Sequence, residues 1–142
     1  MMYRKPIVPS EFQMPMVFEG SFFLIRPITI DDNENDYFAV MDNLDGNGNP
    51  KYPNHTLKQN LIDLGYHQKE MQKKASFTYS IRDSDDRTCI GCLYIYPCDN
   101  SDYDVEISFW LRSSYVNTLN RFTQEIQTWI ASVWPFKNVK YA

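Results

Sequence analysis

The sequence predicts a single mixed α+β (α/β) domain built on a mostly antiparallel sheet flanked by helices. Three segments with alternating apolar residues follow one another within residues 76–111, which indicates an antiparallel meander. Two segments with helical spacing precede this meander. The last strand of the meander is followed by a helix and one further strand, which complete the chain. Such a step from strand to helix to strand favours a parallel strand pair beside the meander. The sheet is therefore expected to be mixed.

Composition and charge fit one globular domain. The chain has 142 residues, of which 43% are hydrophobic and 15% aromatic, far from the composition of disordered chains. The net charge is -4 and there is no Lys/Arg cluster, so nucleic acid is not an expected partner. No apolar run approaches the roughly 20 residues of a membrane helix, and the first residues lack the apolar core of a signal peptide. An odd number of cysteines does not make a disulfide framework and fits a reducing compartment. Together these features predict a cytoplasmic protein without a membrane partner.

The first half is predicted to contain an arm, one strand and two helices. Three prolines predict an extended arm over residues 1–20, and the domain proper is predicted to span residues 21–142. Residues 21–28 are predicted as an internal strand. A short helix follows Asp31, and a capping box at Thr56 and Gln59 begins a longer one that extends to about Lys74. The residues expected to be buried are Phe12, Met14, Met16, Val17 and Phe18 of the arm, Tyr37, Val40, Met41 and Leu44 of the short helix, and Leu57, Leu61, Leu64 and Met71 of the longer one.

The second half is predicted to contain the meander and the crossover. Strands are expected at residues 76–82, 88–96 and 103–111, and a last one at 136–141. In the third of these strands the odd positions face the core, while Asp104, Glu106 and Ser108 face a cleft. A helix is expected from Leu119 to Trp134. Its predicted inner face consists of Leu119, Phe122, Ile126, Trp129, Ile130 and Val133.

Several short stretches of this sequence carry a resemblance to a known family. Residues 23–28, followed by Asp31 and Asp32, are similar to its opening strand and first helix cap. Residues 89–92 are similar to its third strand and residues 106–111 to its fourth, with the expected spacing to Trp129. On these stretches the chain resembles the GNAT family of acyl-CoA N-acyltransferases over residues 21–141. It also resembles a small GNAT-like group that shares a Pro-rich opening and a Trp134-Pro-Phe136 ending.

The resemblance implies transfer of an acetyl group from acetyl-CoA to a small-molecule or peptide amine. Glu106 on the cleft face is the expected base, and Asp104 shares this argument more weakly. An ion pair of Glu106 with Arg112 or Lys140 is the alternative. Three tyrosines are candidates to line the substrate pocket, with core packing as their alternative role: Tyr94, Tyr96 and Tyr115.

The chain departs from the family at two places. In the family a glycine-containing loop after the fourth strand holds the CoA pyrophosphate at a helix N-terminus, and here Asn117 and Leu119 occupy the glycine places. Asn tolerates a positive φ and would replace a glycine in part. The chain also stops shortly after the predicted fifth strand, so the arm or a second subunit is expected to close the sheet edge. The residues implied in cofactor binding are Leu111, Arg112, Asn117, Thr118, Asn120 and Arg121.

These departures leave a second function open, that of a catalytically inactive GNAT-like module which binds a ligand or forms a homodimer. No metal cofactor is expected in either case. Cys89 and Cys92 have CxxC spacing, but an odd offset on a strand places them on opposite faces, where they cannot share a metal. His55 and His67 have no acidic or cysteine partner at ligand spacing in the sequence.

Overall fold

The structure, a computed structural model, describes residues 5–142 and contains within them a six-stranded sheet, three α-helices and two short 3-10 helices. The strands are β1 (Phe18–Glu19), β2 (Phe23–Pro27), β3 (Phe77–Asp83), β4 (Cys89–Pro97), β5 (Val105–Leu111) and β6 (Val139–Tyr141). The helices are α1 (Asn33–Met41), α2 (Leu57–Gln72) and α3 (Leu119–Val133), with 3-10 helices at Ile30–Asp32 and Ser113–Thr118.

The sheet has the mixed topology that the sequence predicts. Its strands lie in chain order, and each neighbouring pair from β1 to β5 is antiparallel. Strand β6 follows α3 and pairs in parallel with β5, with Val105 opposite Val139 and Ile107 opposite Tyr141. The predicted crossover of strand, helix and strand is therefore confirmed.

The main core lies between the sheet and α3. Phe122 and Ile126 of α3 are fully buried against Ile25, Tyr79 and Ile107 of the sheet. Burial of one large apolar side chain stabilises the fold by about 1.5–3 kcal/mol. Because the cluster on this face contains many more buried side chains than the cluster on the other face, it supplies most of the hydrophobic stabilisation. The predicted burial of the first and last residues of α3 was wrong: Leu119 is 40% exposed and Val133 is 44% exposed.

Helices α1 and α2 lie on the other face of the sheet, over a much smaller apolar cluster. That cluster consists of Ile28, Leu64 and Cys92. The predicted inner residues Leu57 and Leu61 are 41% and 43% exposed, so these two predictions were wrong. The side chains of α1 that are fully buried are Ala39 and the acidic Asp36, while the predicted inner residues Tyr37, Val40 and Met41 are half-buried. The reason is that a polar cavity separates these helices from part of the sheet.

The described part of the N-terminal arm packs along the α3 side of the sheet. The Ile7 N–H donates to the Lys74 carbonyl at 2.8 Å, and the Tyr79 hydroxyl donates to the Pro15 carbonyl at 2.7 Å. Phe12 packs on Trp134 with ring centroids 5.1 Å apart. Met14 and Phe18 are half-buried as expected, but the predicted anchors Met16 and Val17 are exposed. Residues 1–4 of the predicted arm lie outside the described residues.

A β-bulge interrupts the pairing of β3 with β4. Ile81 pairs with Gly91, whereas the next residue, Arg82, pairs with Cys89, so Ile90 is the extra residue. Beyond a bulge the alternation of side chains shifts by one. Ile90 therefore points into the α3-side core, while Cys89 joins Cys92 on the face covered by α1 and α2. The prediction that the two cysteines lie on opposite faces was wrong for this reason.

Candidate functional site

A cavity of about 340 Å³ lies between α1, α2 and the sheet. Its floor is formed by side chains that project from the central strands: Thr78, Cys92, Tyr94 and Trp110. Its walls are formed by both helices and the loop between them: Asp36, Val40, Tyr52, His55, Asn60, Asp63, Leu64 and His67. The cavity thus combines carboxylates, imidazoles and aromatic rings on one side of the sheet.

A hydrogen-bonded network forms the deepest polar part of this cavity. The Asn60 amide nitrogen donates to Asp36 Oδ2 at 3.0 Å, and Asn60 Oδ1 lies 2.9 Å from His55 Nε2. The Cys92 thiol donates to the other oxygen of Asp36 at 3.1 Å. Burial, the largest influence, raises the pKa of Asp36 above its ordinary range. The network holds Asp36 in place, but a buried carboxylate bonded only to neutral donors is costly to ionise.

Aromatic side chains and His67 form the sheet-side end of the cavity. The Trp110 indole nitrogen donates to the Tyr94 hydroxyl at 3.0 Å. Burial, as the largest cause, raises the pKa of Tyr94 well above its ordinary value, so this hydroxyl stays protonated. His67 Nδ1 lies 3.1 Å from the Thr78 hydroxyl and 3.5 Å from the Tyr96 hydroxyl. Of the predicted substrate contacts, Tyr94 therefore lines this cavity and Tyr96 lies next to His67 at its edge.

Glu106, the predicted base, lies on the same face of the sheet but at the periphery of this region. It is opposite Tyr96 in the β4–β5 register and is 38% exposed. The Lys140 ammonium lies 3.5 Å from its carboxylate, so the alternative ion pair is present. Glu106 is not among the described residues that line the cavity.

Asp104, the second predicted carboxylate, holds the start of β6. It accepts hydrogen bonds from the backbone amides of Lys137 at 2.6 Å and Asn138 at 2.9 Å. These two hydrogen bonds hold the pKa of Asp104 below its ordinary range, and the bond from Asn138 has the larger effect. The interactions of Asp104 thus connect two segments of backbone.

We expect Asp104→Asn to destabilise the protein near neutral pH more than Asp102→Asn, a matched change at an exposed position in the same turn. Because folding lowers the pKa of Asp104, its contribution is present above the unfolded pKa of about 4 and is lost as the pH falls through the folded value. Urea unfolding at about pH 7 and pH 3 measures this. A difference between wild type and Asp104→Asn that is equally large in acid would contradict the role.

Arg112, predicted to bind the cofactor, connects α1 to the sheet in this structure. Its guanidinium donates to the Cys89 carbonyl at 3.3 Å and forms an ion pair with Asp42 at the end of α1. Nearby, the Leu44 N–H donates to the Ser113 hydroxyl at 3.2 Å. Leu111 is 9% exposed and belongs to the core. These two predicted cofactor contacts therefore position α1 and the sheet in the described structure.

The connection between β5 and α3 is helical from its start. The Tyr115 N–H donates to the Arg112 carbonyl at 2.8 Å, and the Leu119 N–H donates to the Val116 carbonyl. Among the described non-glycine residues only Lys74 and Asp86 have a positive φ, so Asn117 does not adopt the conformation of a replaced glycine. In this 3-10 helix the backbone amides of Tyr115 and Leu119 already donate to carbonyl oxygens. In an open loop such amides would be available to bind a phosphate.

The other predicted residues of this connection are spread over the surface and the opposite face. Asn117, Asn120 and Arg121 are exposed, and the Thr118 hydroxyl donates to the Tyr115 carbonyl at 2.6 Å. The Tyr115 ring stacks on Phe22 at 6.5 Å, on the α3 side of the sheet. The structure therefore does not bring Tyr115 together with Tyr94 and Tyr96.

The sequence did not indicate the cavity residues Asp36, Asn60 and Trp110. It also gave no site role to His55 and His67, which line the cavity. Asp36 interrupts the expected apolar face of α1, and Asn60 lies on the buried side of α2. A polar residue at an inward helical position is the signal that would have found both. No spacing signal points to Trp110, because its role depends on the neighbouring strand.

Solved structures of GNAT acetyltransferases have the same fold. FdhC, a nucleotide-linked sugar GNAT, superposes with a TM-score of 0.64 and 12% identity over 90% of this chain and 72% of its own. RimL, a ribosomal L7/L12 alpha-N-protein acetyltransferase solved with coenzyme A, superposes with a TM-score of 0.59 and 14% identity over 81% of this chain and 67% of its own. The ribosomal-protein-S5-alanine acetyltransferase of Vibrio fischeri superposes with a TM-score of 0.54 and 13% identity over 82% of this chain and 67% of its own.

These similarities define the fold class. The chain has a GNAT-like fold, as the sequence resemblance implied. No protein-family model matches the sequence, and the search of curated proteins finds no match either. None of the described helices is long and apolar enough to cross a membrane.

Proposed function

We propose that the protein is a GNAT-type N-acetyltransferase that transfers an acetyl group from acetyl-CoA to a small-molecule or peptide amine. The observation that carries this proposal is the acidic, aromatic cavity on the face of β5 opposite α3. Asp36 and Asp63 line it together with Tyr94 and Trp110, and no Lys or Arg is among its described lining residues. Carboxylates and aromatic faces attract an ammonium group, so the cavity suits a cationic acceptor. The free cysteines agree with a cytoplasmic setting.

The part of β5 beside this cavity is the place we propose for the acyl donor. Among the described residues, β6 pairs with β5 only over Val105–Ile107. The following residues of β5 include Trp110, which lines the cavity. A strand edge offers N–H and C=O groups to an extended ligand with amides, such as the pantetheine arm of CoA. An amine in the cavity and a thioester along β5 would then meet near Trp110.

In the proposed reaction the neutral amine attacks the thioester carbonyl, a C–N bond forms, and the C–S bond breaks to release CoA thiol. The proton lost by the ammonium group needs an acceptor. Glu106 is about 13 Å along β5 from Trp110, at roughly 3.3 Å per residue, so it would act through water. Its neighbour Tyr96 lies next to His67, which lines the cavity, and these two side chains offer a path between them.

Calorimetric titration with acetyl-CoA, followed by an acetylation assay with a panel of primary amines, tests this function. We expect binding and amine-dependent release of CoA thiol. We expect Glu106→Gln to lower kcat by about 10²-fold or more with little change in acetyl-CoA affinity, because a general base contributes about 10²–10⁴-fold. Glu11→Gln, at an exposed position of the arm, is the control. Unchanged turnover in Glu106→Gln would remove Glu106 from this role.

The second candidate function is a non-catalytic module that binds an amine, or pairs with a second copy of the chain, without acyl transfer. The observation in its favour is the 3-10 helix at Ser113–Thr118, where Leu119 follows at a glycine place of the family loop. Calorimetry separates the two functions. Heat on addition of amines, with none on addition of acetyl-CoA at about millimolar concentration, would support the module. Light scattering over a range of protein concentrations tests the homodimer.

A further inference from the structure

Three side chains of metal-ligand type converge at the closed end of the cavity. The two sulfur atoms of Cys89 and Cys92 and a carboxylate oxygen of Asp36 all lie within 4.8 Å of one another. Cys92 Sγ is already 3.1 Å from Asp36 Oδ1. All three residues are buried, with exposed fractions of 0%, 3% and 3%. Asp36 and Cys92 also line the cavity, so the cluster has a path to solvent.

The bulge at Ile90 is what makes this convergence possible. On a regular strand Cys89 and Cys92 would face opposite sides of the sheet. Gly91 directly follows the bulged residue, and a Cβ atom there would come 2.0 Å from the Trp110 carbonyl oxygen. A glycine at this position therefore permits the close approach of β4 to β5 next to the bulge. Such devices commonly redirect a side chain at a functional site.

The charge of Asp36 is the second argument. Its carboxylate accepts hydrogen bonds from a thiol and an amide, and it takes part in none of the salt bridges among the described residues. By contrast, the buried Asp32 forms ion pairs with Arg26 and Arg82. His55 has only a small favourable electrostatic influence on Asp36. A buried carboxylate without a salt bridge is costly, and a divalent ion would supply positive charge directly at its oxygens.

We propose that Asp36, Cys89 and Cys92 bind a zinc ion, with the fourth position open to the cavity. In a tetrahedral site with Zn–S of about 2.3 Å and Zn–O of about 2.0 Å, the two sulfur atoms would be about 3.8 Å apart and each would be about 3.5 Å from the carboxylate oxygen. The distances between these atoms therefore need to change by about 1.3 Å at most. Two thiolates favour zinc over magnesium or calcium. Three protein ligands and one open position are the arrangement that lets zinc carry a water molecule. This inference does not depend on acetyl transfer.

Cobalt(II) substitution tests the site, because cobalt bound to thiolate absorbs in the near ultraviolet and tetrahedral cobalt absorbs in the visible. Protein treated with a chelator under reducing conditions is titrated with Co²⁺ and then with Zn²⁺. We expect a thiolate charge-transfer band that saturates at about one equivalent and disappears when zinc displaces cobalt. We expect Cys89→Ser and Cys92→Ser each to reduce the band strongly and the double variant to abolish it, while Cys98→Ser, which changes the third cysteine in the turn after β4, retains it.

A conservative variant keeps the test decisive if the serine variants do not fold. Asp36→Asn preserves shape and both thiols, and we expect it to weaken cobalt binding at least tenfold and to alter the visible spectrum. We also expect wild-type affinity to fall with falling pH, because the ligands bind metal only when deprotonated. Absence of the band in the wild type, unchanged affinity in Asp36→Asn, or loss of the band in Cys98→Ser would overturn the proposal.

Discussion

Replacement of Gly91 by Ala is expected to destabilise the protein by about 3 kcal/mol or more. The added Cβ would lie 2.0 Å from the Trp110 carbonyl oxygen and 3.1 Å from the Leu111 Cα. Both atoms belong to the backbone of β5, so the clash cannot be relieved by a side-chain rotation. Relief requires β4 and β5 to move apart, with loss of hydrogen bonds between them. Urea unfolding followed by tryptophan fluorescence measures the change.

Gly46→Ala is the matched control for this prediction. A Cβ at position 46 would have no heavy atom within 4 Å, and the backbone there has no positive φ. We expect its effect to stay within about 0.5 kcal/mol. Similar stabilities of the two variants would show that β4 and β5 do not approach each other as closely as described. We also expect Gly91→Ala to disturb the cluster of Asp36, Cys89 and Cys92, since the bulge places both cysteines on one face.

Replacement of Asp32 by Ala is expected to cost about 3–5 kcal/mol, the usual effect of breaking a buried ion pair from one side. The Asp32 carboxylate accepts two bonds from Arg26, at 2.9 and 3.1 Å, and one from the Thr29 N–H at 2.9 Å. It is also 3.9 Å from Nη1 of Arg82, whose side chain is only 4% exposed. That nitrogen has no hydrogen-bond partner among residues 5–142. Without Asp32, Asp86 would be the remaining ion-pair partner of the Arg82 guanidinium within this part of the chain.

Asp31→Ala, at the exposed neighbouring position, is the control, with an expected effect within about 0.5 kcal/mol. The pH dependence gives a second measurement. Burial raises the pKa of Asp32, but the bonds from Arg26 and Thr29 outweigh it and hold the pKa below the ordinary value. The contribution of Asp32 is therefore complete above about pH 4 and declines in stronger acid. Equal stability of the Asp31 and Asp32 variants at pH 7 would contradict the proposed network.

The order of strands and helices followed from local periodicity, and its failures have a common cause. The alternation in residues 103–111 and the helical spacing after Leu119 were sufficient to predict β5 and α3. The burial predicted for Leu119 and Val133 at the two ends of α3 was wrong, since periodicity does not tell where contact with the sheet stops. The apolar face assigned to α2 failed at Leu57 and Leu61, which do not line the cavity, because the helix turns Asn60 and Leu64 towards the sheet instead.

The candidate site was less predictable than the fold. Tyr94 and Tyr96 were recognised from their strand, and the structure places both beside the cavity. The connection after β5 was recognised as the part that departs from the family. Its 3-10 conformation was not foreseen, since Asn117 was expected to replace a glycine.

The sequence by itself determined the mixed sheet and its helices, because the spacing of apolar residues selects strand or helix locally. Only the tertiary structure decided which polar groups meet. Asp36 and Cys92 are 56 residues apart and come into contact when α1 packs on β4. Cys89 joins them because a bulge, accommodated by Gly91 against the backbone of β5, reverses the side to which its side chain points. Such a reversal depends on the neighbouring strand, which no local pattern of residues 89–92 contains.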